Sequence, residues 1–291
     1  MSPTSEPDIL KLALPKGRMF DGVVRLLSEA GLPLESSSRN YRPALAQPGF
    51  EVKLLKPRAI VEMLDLGARD LGFAGADWVR ETDADLVEIL DTGLDTVRLV
   101  AAAPDEILSS GALPRRSIVV ASEYVRIAQS WIQAKGLDAS LIVSYGATEV
   151  LPPEDADCIL DNTATGATLA ANGLTIIDEI MVSSTRLYAS RAAMQSPEKR
   201  ERIERFAMLL RSVLEARQRV MLELNVSQGC LDAVVEELPC MREPTISQLR
   251  SESGFAVKVA VRRSELPILI PRLKQLGGTD IVVTKPEQIV P

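Results

Sequence analysis

Histidine is absent from this sequence of 291 residues, and its absence restricts the possible chemistry more than any other feature of the composition. Without histidine there is no Ser-His-Asp or Cys-His nucleophile, no His-ligated metal and no side chain that normally titrates near neutral pH. Any catalysis must therefore depend on the positioning of substrates, on cationic side chains and on backbone dipoles.

Cysteine is scarce as well, and the three cysteines, Cys158, Cys230 and Cys240, are isolated in the sequence. An odd number of isolated cysteines indicates neither a disulfide framework nor a zinc cluster, so we predict a reducing, cytoplasmic location. Residues 1–8 contain neither the basic flank nor the apolar core of a signal peptide, and we expect a loose leader there.

Long apolar runs and an excess of positive charge are also missing. No segment approaches the roughly 20 apolar residues that span a bilayer, so we expect no membrane partner. The net charge of −7 disfavours nucleic acid as a partner, because nucleic-acid binding relies on basic side chains that neutralise phosphates. The 46% of hydrophobic and 25% of charged residues are typical of a globular protein, and the length permits two or three domains.

The most informative segment is residues 158–173, in which three apolar residues lead into an acid and then into a run of small residues. This pattern predicts a buried strand, a tight loop and a short helix that ends at Gly173. Gly166 lets the backbone approach a ligand closely, and the loop N–H groups and hydroxyls can bind an anion. Asp161, at the end of the strand, is placed to accept hydrogen bonds from sugar hydroxyls. The segment therefore predicts a ribose-phosphate site; an ordinary strand–turn–helix with a capped start is the alternative.

A second anion site is predicted near the N-terminus. A strand at residues 9–14 is followed by the sequence Pro-Lys-Gly-Arg and then by a helix, so Lys16 and Arg18 lie beside a helix N-terminus. Arg58 stands in a similar basic turn after a further strand. The alternative for these residues is that they are solvated charges in loops.

Alternating strands and helices predict a parallel sheet covered on both faces, with a second α/β unit inserted into the first and a ligand cleft between them. Separate strands are expected at 86–90 and 97–103, and again at 176–182 and 186–189. A long amphipathic helix is expected at 197–220. The remaining elements have the order strand-helix-strand-strand-helix-strand, which is that of a ferredoxin-like domain.

Four motifs, in this order and spacing, resemble those of ATP phosphoribosyltransferases, the enzymes that begin histidine biosynthesis. They are Leu-Pro-Lys-Gly-Arg at 14–18, Asp-Leu-Gly-Phe-Ala-Gly at 70–75, Thr-Gly-Ala-Thr-Leu at 165–169 and Ser-Ser-Thr-Arg-Leu at 183–187. The third motif is also similar to the loop that binds 5-phosphoribosyl-1-pyrophosphate (PRPP) in phosphoribosyltransferases generally. Many of those enzymes carry two adjacent acids before the loop, whereas this chain has Asn162 after Asp161.

The resemblance covers essentially the whole chain and implies an α/β fold in three parts. The catalytic region is two-lobed and similar to type II periplasmic binding proteins: domain I comprises 1–96, completed by about 183–218, and domain II comprises 97–182 with the PRPP loop. A ferredoxin-like βαββαβ regulatory domain comprises 219–291. The implied reaction condenses ATP with PRPP to N1-(5-phosphoribosyl)-ATP and pyrophosphate. Mg²⁺ is the implied cofactor, histidine the implied allosteric inhibitor, and a homo-oligomer between dimer and hexamer the implied assembly.

The resemblance also implies roles for individual residues. The catalytic residues would be Lys16, Arg18 and Asp161. PRPP would be bound by Asp161, Thr163, Ala164, Thr165, Gly166, Ala167, Thr168 and Leu169, and ATP or phosphate by Lys16, Arg18, Arg58 and Gly75. Regulation would involve Asn225, Met241 and Thr245. We predict no protein metal ligands, because Mg²⁺ prefers phosphate oxygens and water.

Two other functions stay open at this point. One is a non-catalytic solute-binding or sensor module on the same fold, since a fold does not determine a function. The other is a phosphoribosyltransferase that acts on a free nucleobase. For the C-terminal domain, the alternative to histidine binding is a role in oligomerisation only. Asn225 stands where the family often has an acid, so weak binding of the histidine ammonium group is expected.

Overall fold

A computed structural model describes residues 9–35, 41–109, 111–239, 243–250 and 253–290. Its contacts divide the chain into two compact units. The first unit comprises residues 1–28 and 32–205, and the second comprises residues 29–31 and 206–291. Within the described residues, no helix has both the length and the apolar character needed to cross a membrane.

The first unit alternates strands with helices. Its strands are β1 (Leu10–Pro15), β2 (Leu34–Glu35), β3 (Ala44–Leu45), β4 (Phe50–Leu55), β5 (Leu71–Gly75), β6 (Leu86–Pro104), β7 (Ile118–Ser122), β8 (Ala139–Val143), β9 (Cys158–Thr163) and β10 (Leu174–Ser190). Its helices are α1 (Met19–Glu29), α2 (Pro57–Asp65), α3 (Ala76–Thr82), α4 (Val125–Lys135), α5 (Ala167–Ala171), α6 (Arg191–Gln195) and the first part of α7 (Pro197–Gln218).

In the described part of the first unit, eight strands form one sheet in the order β4-β1-β5-β10-β6-β9-β7-β8. Strands β4, β1 and β5 are mutually parallel, and so are β9, β7 and β8. We call the part around β4, β1 and β5 the first lobe and the part around β9, β7 and β8 the second lobe.

Strands β6 and β10 connect the two lobes, and they correct the prediction of an all-parallel sheet. Each is a single long strand, and they pair antiparallel from Leu86↔Ser190 to Pro104↔Leu174, where two short strands each were expected. Register shifts fall near Ser183 and Thr185. Polar residues interrupt the apolar pattern there although the pairing continues, which is why the sequence suggested separate strands.

Residues that end or begin helices act as the sequence predicts in several places. Gly136 ends α4 in the left-handed conformation, with φ of 62°, as helices commonly end. Pro57 occupies the first turn of α2, where its missing N–H costs nothing. Arg58 therefore lies on a helix and not in a turn after β4. The second lobe is closed by a core in which Tyr124 and Trp131 pack on Leu99 and Leu160.

The second unit contains β11 (Arg219–Val226), α8 (Leu231–Glu237), β12 (Thr245–Gln248), β13 (Phe255–Arg262), α9 (Leu266–Gln275) and β14 (Thr279–Thr284). Its four described strands are all antiparallel in the order β12-β13-β11-β14. The order and the two intervening helices confirm the ferredoxin-like prediction. Val220, Leu222, Leu224 and Val226 alternate as the buried face of β11.

The predicted α/β fold class is confirmed, with a two-lobed region followed by a ferredoxin-like βαββαβ domain. The predicted domain limits at residues 96, 182 and 218 stay a prediction.

Candidate functional site

A cleft of about 300 Å³ lies in the first unit between its two lobes. It is bounded by the ends of β1, β5 and β9 and by the middle of β6 and β10. Its lining residues are Lys16, Arg18, Met19, Pro57, Gly75, Asp77, Trp78, Asp95, Val97, Tyr124, Asn162, Ser183, Ser184 and Thr185. The motifs at 14–18 and 183–187 contribute side chains to this lining, and the motif at 70–75 contributes Gly75. The motif at 165–169 is not part of the lining, but Asn162, on the strand before it, is.

Two predicted cations, Lys16 and Arg18, line the cleft. They flank Gly17, whose φ of 78° turns the chain between β1 and α1. The Lys16 ammonium lies 3.5 Å from the centre of the Tyr41 ring, in a cation–π contact. Among the described residues neither cation has an ion-pair partner, so both charges are available to an anionic ligand.

The third predicted cation, Arg58, is placed differently. It does not line the cleft, although its neighbour Pro57 does. Its Nε donates to Glu62 at 3.0 Å on the same helix, and its guanidinium lies 5.9 Å from the centre of the Trp78 ring. Both members of this ion pair are exposed, so the pair contributes little to stability.

Gly75 ends β5 at the cleft, and the structure gives a steric reason for the glycine. A Cβ atom added there would collide with the Asp77 carboxylate. Asp77 is buried, and its two carboxylate oxygens accept hydrogen bonds from the Ser183 hydroxyl at 2.8 Å and from the Tyr124 hydroxyl at 2.7 Å. The Trp78 and Tyr124 rings stack with their centres 4.7 Å apart. These contacts join α3 of the first lobe to the start of α4 in the second.

The cleft residues not predicted from the sequence include Asp77, Trp78, Asp95 and Tyr124. Tyr124 and Asp77 are 47 positions apart, so no local pattern reveals their contact. A usable signal was present, however. Tryptophan occurs only twice in the chain, and Trp78 lies three residues after Gly75, at the end of a strand that contains two glycines.

Asp161 lies beside the cleft, at the end of β9, and Asn162 next to it is part of the lining. One Asp161 oxygen accepts the Asn162 backbone N–H at 2.6 Å. Burial, together with the negative charges of Glu123 and Glu149, raises the pKa of Asp161 to about 6, against the lowering effect of hydrogen bonds from Asn162 and Thr148. Because burial makes the Asp161 carboxyl costly to ionise, a positive charge that develops beside it stabilises the ionised form.

The loop from Thr163 to Thr168 is largely exposed, and two of its N–H groups donate to threonine hydroxyls of the loop itself. Gly166 has φ of 83°, and its N–H donates to Thr163 Oγ at 2.9 Å. The Ala167 N–H donates to Thr165 Oγ at 3.3 Å. Ala164, Thr165, Ala167 and Thr168 are exposed, whereas Thr163 is buried. Leu169 is a core residue, packed with Ile159 and Leu174, so only its backbone is able to meet a ligand.

The predicted regulatory residues belong to the second unit. Asn225 lies on the face of β11 opposite the helices, and its side-chain amide donates to Asp280 at 3.0 Å. Thr245 is exposed at the start of β12, which pairs with β13 and not with β11. Met241 lies outside the described residues. Asn225 itself stands where the family often has an acid, and the pairing of β11 with β14 brings the acid Asp280 beside it.

Comparison with known proteins identifies the family. The model of the ATP phosphoribosyltransferase family matches residues 56–212, more than half of the chain. The chain belongs to the ATP phosphoribosyltransferase family. The model described as the C-terminal domain of the same family matches residues 216–287, which corresponds to the ferredoxin-like domain.

Named relatives agree with this assignment over nearly the whole chain. An ATP phosphoribosyltransferase from Pelodictyon phaeoclathratiforme is 37% identical over 94% of this chain and 95% of its own length. One from Pelotomaculum thermopropionicum is 36% identical over 97% of this chain and 99% of its own. A solved chain of the ATP phosphoribosyl transferase (HisG:HisZ) complex from Thermotoga maritima matches with a TM-score of 0.64 and 28% identity. That match covers 71% of this chain and 99% of the solved chain.

Family membership establishes the activity that the motifs predicted. The chain is a pentosyltransferase that condenses ATP with PRPP to N1-(5-phosphoribosyl)-ATP and pyrophosphate, the first step of histidine biosynthesis. Its substrates are ATP and PRPP.

Proposed function

We propose that the cleft binds the two substrates from opposite lobes. Lys16 and Arg18 bind phosphate charge from the first lobe, and Gly75 leaves room for the buried Asp77 that helps to shape the wall. Arg58 has a supporting role, because its guanidinium would have to leave Glu62 to reach the cleft. The observation that carries this proposal is the position of both unpaired cations on the same cleft as Asn162, next to Asp161.

On the second lobe, the loop Thr163–Leu169 binds the 5′-phosphate of PRPP, and Asp161 binds the ribose hydroxyls. The exposure of Ala164, Thr165, Ala167 and Thr168, which lie at the start of a helix and include two hydroxyls, supports the first role. The burial of Asp161 beside the loop supports the second.

The reaction needs no side-chain nucleophile, because N1 of adenine attacks the ribose directly. The barrier lies in separating pyrophosphate from a ribose that becomes oxocarbenium-like. Holding both substrates in one cleft provides much of the rate, since well-oriented reactants gain up to about 7–11 kcal/mol. Lys16 and Arg18 stabilise the charge of the leaving pyrophosphate, and Asp161 stabilises the positive ribose.

Mg²⁺ fits this cleft as an ion carried largely by the substrate. Within the described residues no group of three or more metal-binding side chains is close enough to hold an ion. In contrast to the expectation of no protein ligand, the Asp95 carboxylate lines the cleft and would offer the hard oxygen donor that Mg²⁺ prefers, with pyrophosphate oxygens and water completing the set. When bound, the ion neutralises charge on the leaving pyrophosphate.

The roles of the second-lobe residues are tested by replacing Gly166 and Asp161 one at a time. The Gly166 change should remove PRPP binding, whereas the Asp161 change should slow turnover. A solute-binding module on this fold would bind ligands without releasing pyrophosphate, and an enzyme for free nucleobases would not require ATP.

The second unit is proposed to bind histidine and to inhibit the enzyme. A carboxylate is needed for the histidine ammonium group, and Asp280 supports this role from β14, at 3.0 Å from the Asn225 amide. Asn225 then orients Asp280, and Thr245 lies across the same sheet. An inhibitor of this kind must bind one global state better than another, and typical couplings are about 5- to 150-fold.

Replacement of Asp280 by Asn is expected to raise the histidine concentration for half inhibition about tenfold, with kcat in the absence of histidine unchanged. The change removes the charge but keeps the backbone, because Asn also tolerates the φ of 49° found at Asp280. Calorimetry of histidine binding to the two proteins measures the effect. Asp232→Asn, at an exposed acid in the first turn of α8, is the matched control.

Equal affinities of the wild-type and Asp280→Asn proteins for histidine would remove Asp280 from the site. If histidine binds neither protein, the second unit serves assembly alone. Assembly into a homo-oligomer between dimer and hexamer, and a cytoplasmic location, complete the proposal; the biosynthetic role of the named relatives supports them.

A further inference from the structure

Asn162 is the residue at which this chain departs from the two-acid pattern, and the structure surrounds it with an ordered hydrogen-bond network. Its side-chain nitrogen donates to the Tyr124 hydroxyl oxygen at 3.0 Å and lies 3.4 Å from an Asp161 oxygen. The Tyr124 hydroxyl in turn donates to Asp77 at 2.7 Å. Three residues from both lobes thus determine where the Asn162 amide points.

The directions of these hydrogen bonds determine which atom of the Asn162 amide receives no hydrogen bond from a described residue. Burial and the Asp77 carboxylate raise the pKa of Tyr124, so its hydroxyl keeps its proton and donates that proton to Asp77. The hydroxyl oxygen can then only accept, and it must face the NH₂ group of Asn162. Both N–H bonds of Asn162 point to acceptors, and no described residue donates to its carbonyl oxygen.

Tyr124 is held in place by packing and hydrogen bonds, and this fixes the orientation of the Asn162 amide that it contacts. It is fully buried, its backbone N–H donates to Ser122 Oγ at 2.9 Å, and its ring stacks on Trp78. Ser122 Oγ donates to the carbonyl of Leu160 on β9 at 2.6 Å. The cleft wall therefore contains the Trp78 ring, with the buried Tyr124 ring stacked behind it, and the Asn162 amide oxygen, to which no described residue donates. Such a surface suits a planar base with an N–H donor.

We propose that the Asn162 carbonyl oxygen accepts a hydrogen bond from the 6-amino group of the adenine of ATP and so selects 6-aminopurines. N1 of adenine has to approach the ribose carbon held beside Asp161, and the 6-amino group is attached to the same ring carbon as N1. An acceptor on the residue next to Asp161 is therefore placed to meet that amino group. This role rests on the assignment of Asp161 to the ribose.

The same hydrogen bond favours the transition state over the bound substrate. As N1 forms its bond to the ribose carbon, positive charge spreads over N1 and the 6-amino nitrogen. The 6-amino N–H then becomes a stronger donor, and hydrogen bonds to charged groups are worth more than neutral ones. Asn162 is expected to affect kcat as well as KM, because its interaction strengthens during the reaction.

The test compares ATP with purine riboside 5′-triphosphate, which keeps N1 but lacks the 6-amino group. We take the ratio of kcat/KM for ATP to that for the analogue, with the full chain, Mg²⁺ and saturating PRPP. The intrinsic reactivity of each base is the same on every variant, so a change in this ratio isolates the protein's contact with the amino group. Asn162→Leu should lower the ratio about 10- to 100-fold through the loss of ATP turnover.

Two further variants sharpen the comparison. Tyr124→Phe removes the hydroxyl that orients Asn162, and a smaller fall in the ratio is expected. Asn172→Leu, at an exposed Asn whose amide donates to Thr168 at 2.9 Å outside the cleft, should leave the ratio unchanged. If the ratio is unchanged in Asn162→Leu, whether both kcat/KM values stay the same or both fall equally, the proposal is overturned.

If Asn162→Leu does not fold, an unchanged ratio in Tyr124→Phe overturns the proposal in its place. A failure of Asp161 to bind ribose gives a different result: Asp161→Asn would then keep normal kcat/KM for PRPP. Calorimetric affinities for the two nucleotides in the absence of PRPP provide a readout that does not depend on turnover.

Discussion

Gly166→Val is expected to yield a folded protein whose affinity for PRPP is at least about 100-fold lower. Gly166 has φ of 83°, a conformation that a β-branched residue adopts only under strain. Relief of this strain moves the loop and removes the backbone donors from the phosphate. The loss of two charge-assisted hydrogen bonds of roughly 1.5 kcal/mol each accounts for the expected factor.

The folded structure should survive this change. A Cβ atom at Gly166 would meet only the Ile176 side chain, at an ordinary contact distance of 3.6 Å. The control is Gly136→Val, because Gly136 also has a positive φ, of 62°, and has no neighbours around its missing Cβ. Both variants should lose roughly 1–3 kcal/mol of stability, but only Gly166→Val should lose PRPP in calorimetry. Normal PRPP binding by Gly166→Val would show that the phosphate binds elsewhere.

Asp161→Asn is expected to lower kcat by about 100- to 1000-fold, because an amide stabilises the positive ribose less than a carboxylate does. PRPP binding should change much less than turnover, since the charge develops mainly in the transition state. Steady-state kinetics with both substrates varied measure the two effects separately. Wild-type kcat/KM for PRPP in this variant would exclude Asp161 from the site.

The pH profile gives an independent signature of Asp161. Its carboxylate has to be ionised to act, so kcat/KM of the wild-type enzyme should fall as the pH drops below about 6. Glu123→Gln removes a negative charge that raises the pKa of Asp161 and should move this fall to lower pH. A profile with the same midpoint in both proteins would assign the titration to another group.

The raised pKa of Asp161 should also make the stability of the protein depend on pH, in the opposite direction to kcat/KM. The pKa of Asp161 is raised from 3.8 in the unfolded chain to about 6 in the folded protein, so the folded state binds more protons between these values. The wild-type free energy of unfolding therefore receives a contribution that is present at low pH and is lost as the pH rises to about 6. Asp161→Asn lacks this contribution and should be at least as stable as the wild type at pH 7.

The sequence predicted the elements whose pattern is local. Apolar runs that end in small residues gave β1, β5 and β9 and the loops after them, and glycines marked the ends of α4 and α5. The continuity of β6 and β10 was not predictable, because it depends on long-range pairing. There the Thr92 hydroxyl donates to the carbonyl of Thr185 at 2.5 Å, a contact between residues 93 positions apart.

The residues of the candidate site also divide into those that lie in short sequence motifs and those that long-range contacts bring together. Lys16, Arg18 and the loop around Gly166 lie in short motifs, so their presence was readable from the sequence. The Asp77–Tyr124 contact and the placing of Asp280 beside Asn225 depend on which strands and helices become neighbours. The local sequence around a buried acid or an aromatic residue does not indicate a partner that comes from another lobe or strand.

The most direct test of the account is the release of pyrophosphate from PRPP by the purified chain in the presence of Mg²⁺. Release should require ATP and should be accompanied by formation of N1-(5-phosphoribosyl)-ATP, because we propose that PRPP bound on the second lobe meets ATP bound on the first. Free adenine and the other nucleobases should give no release. Release with a free base in place of ATP, or binding of both substrates without any release, would contradict it.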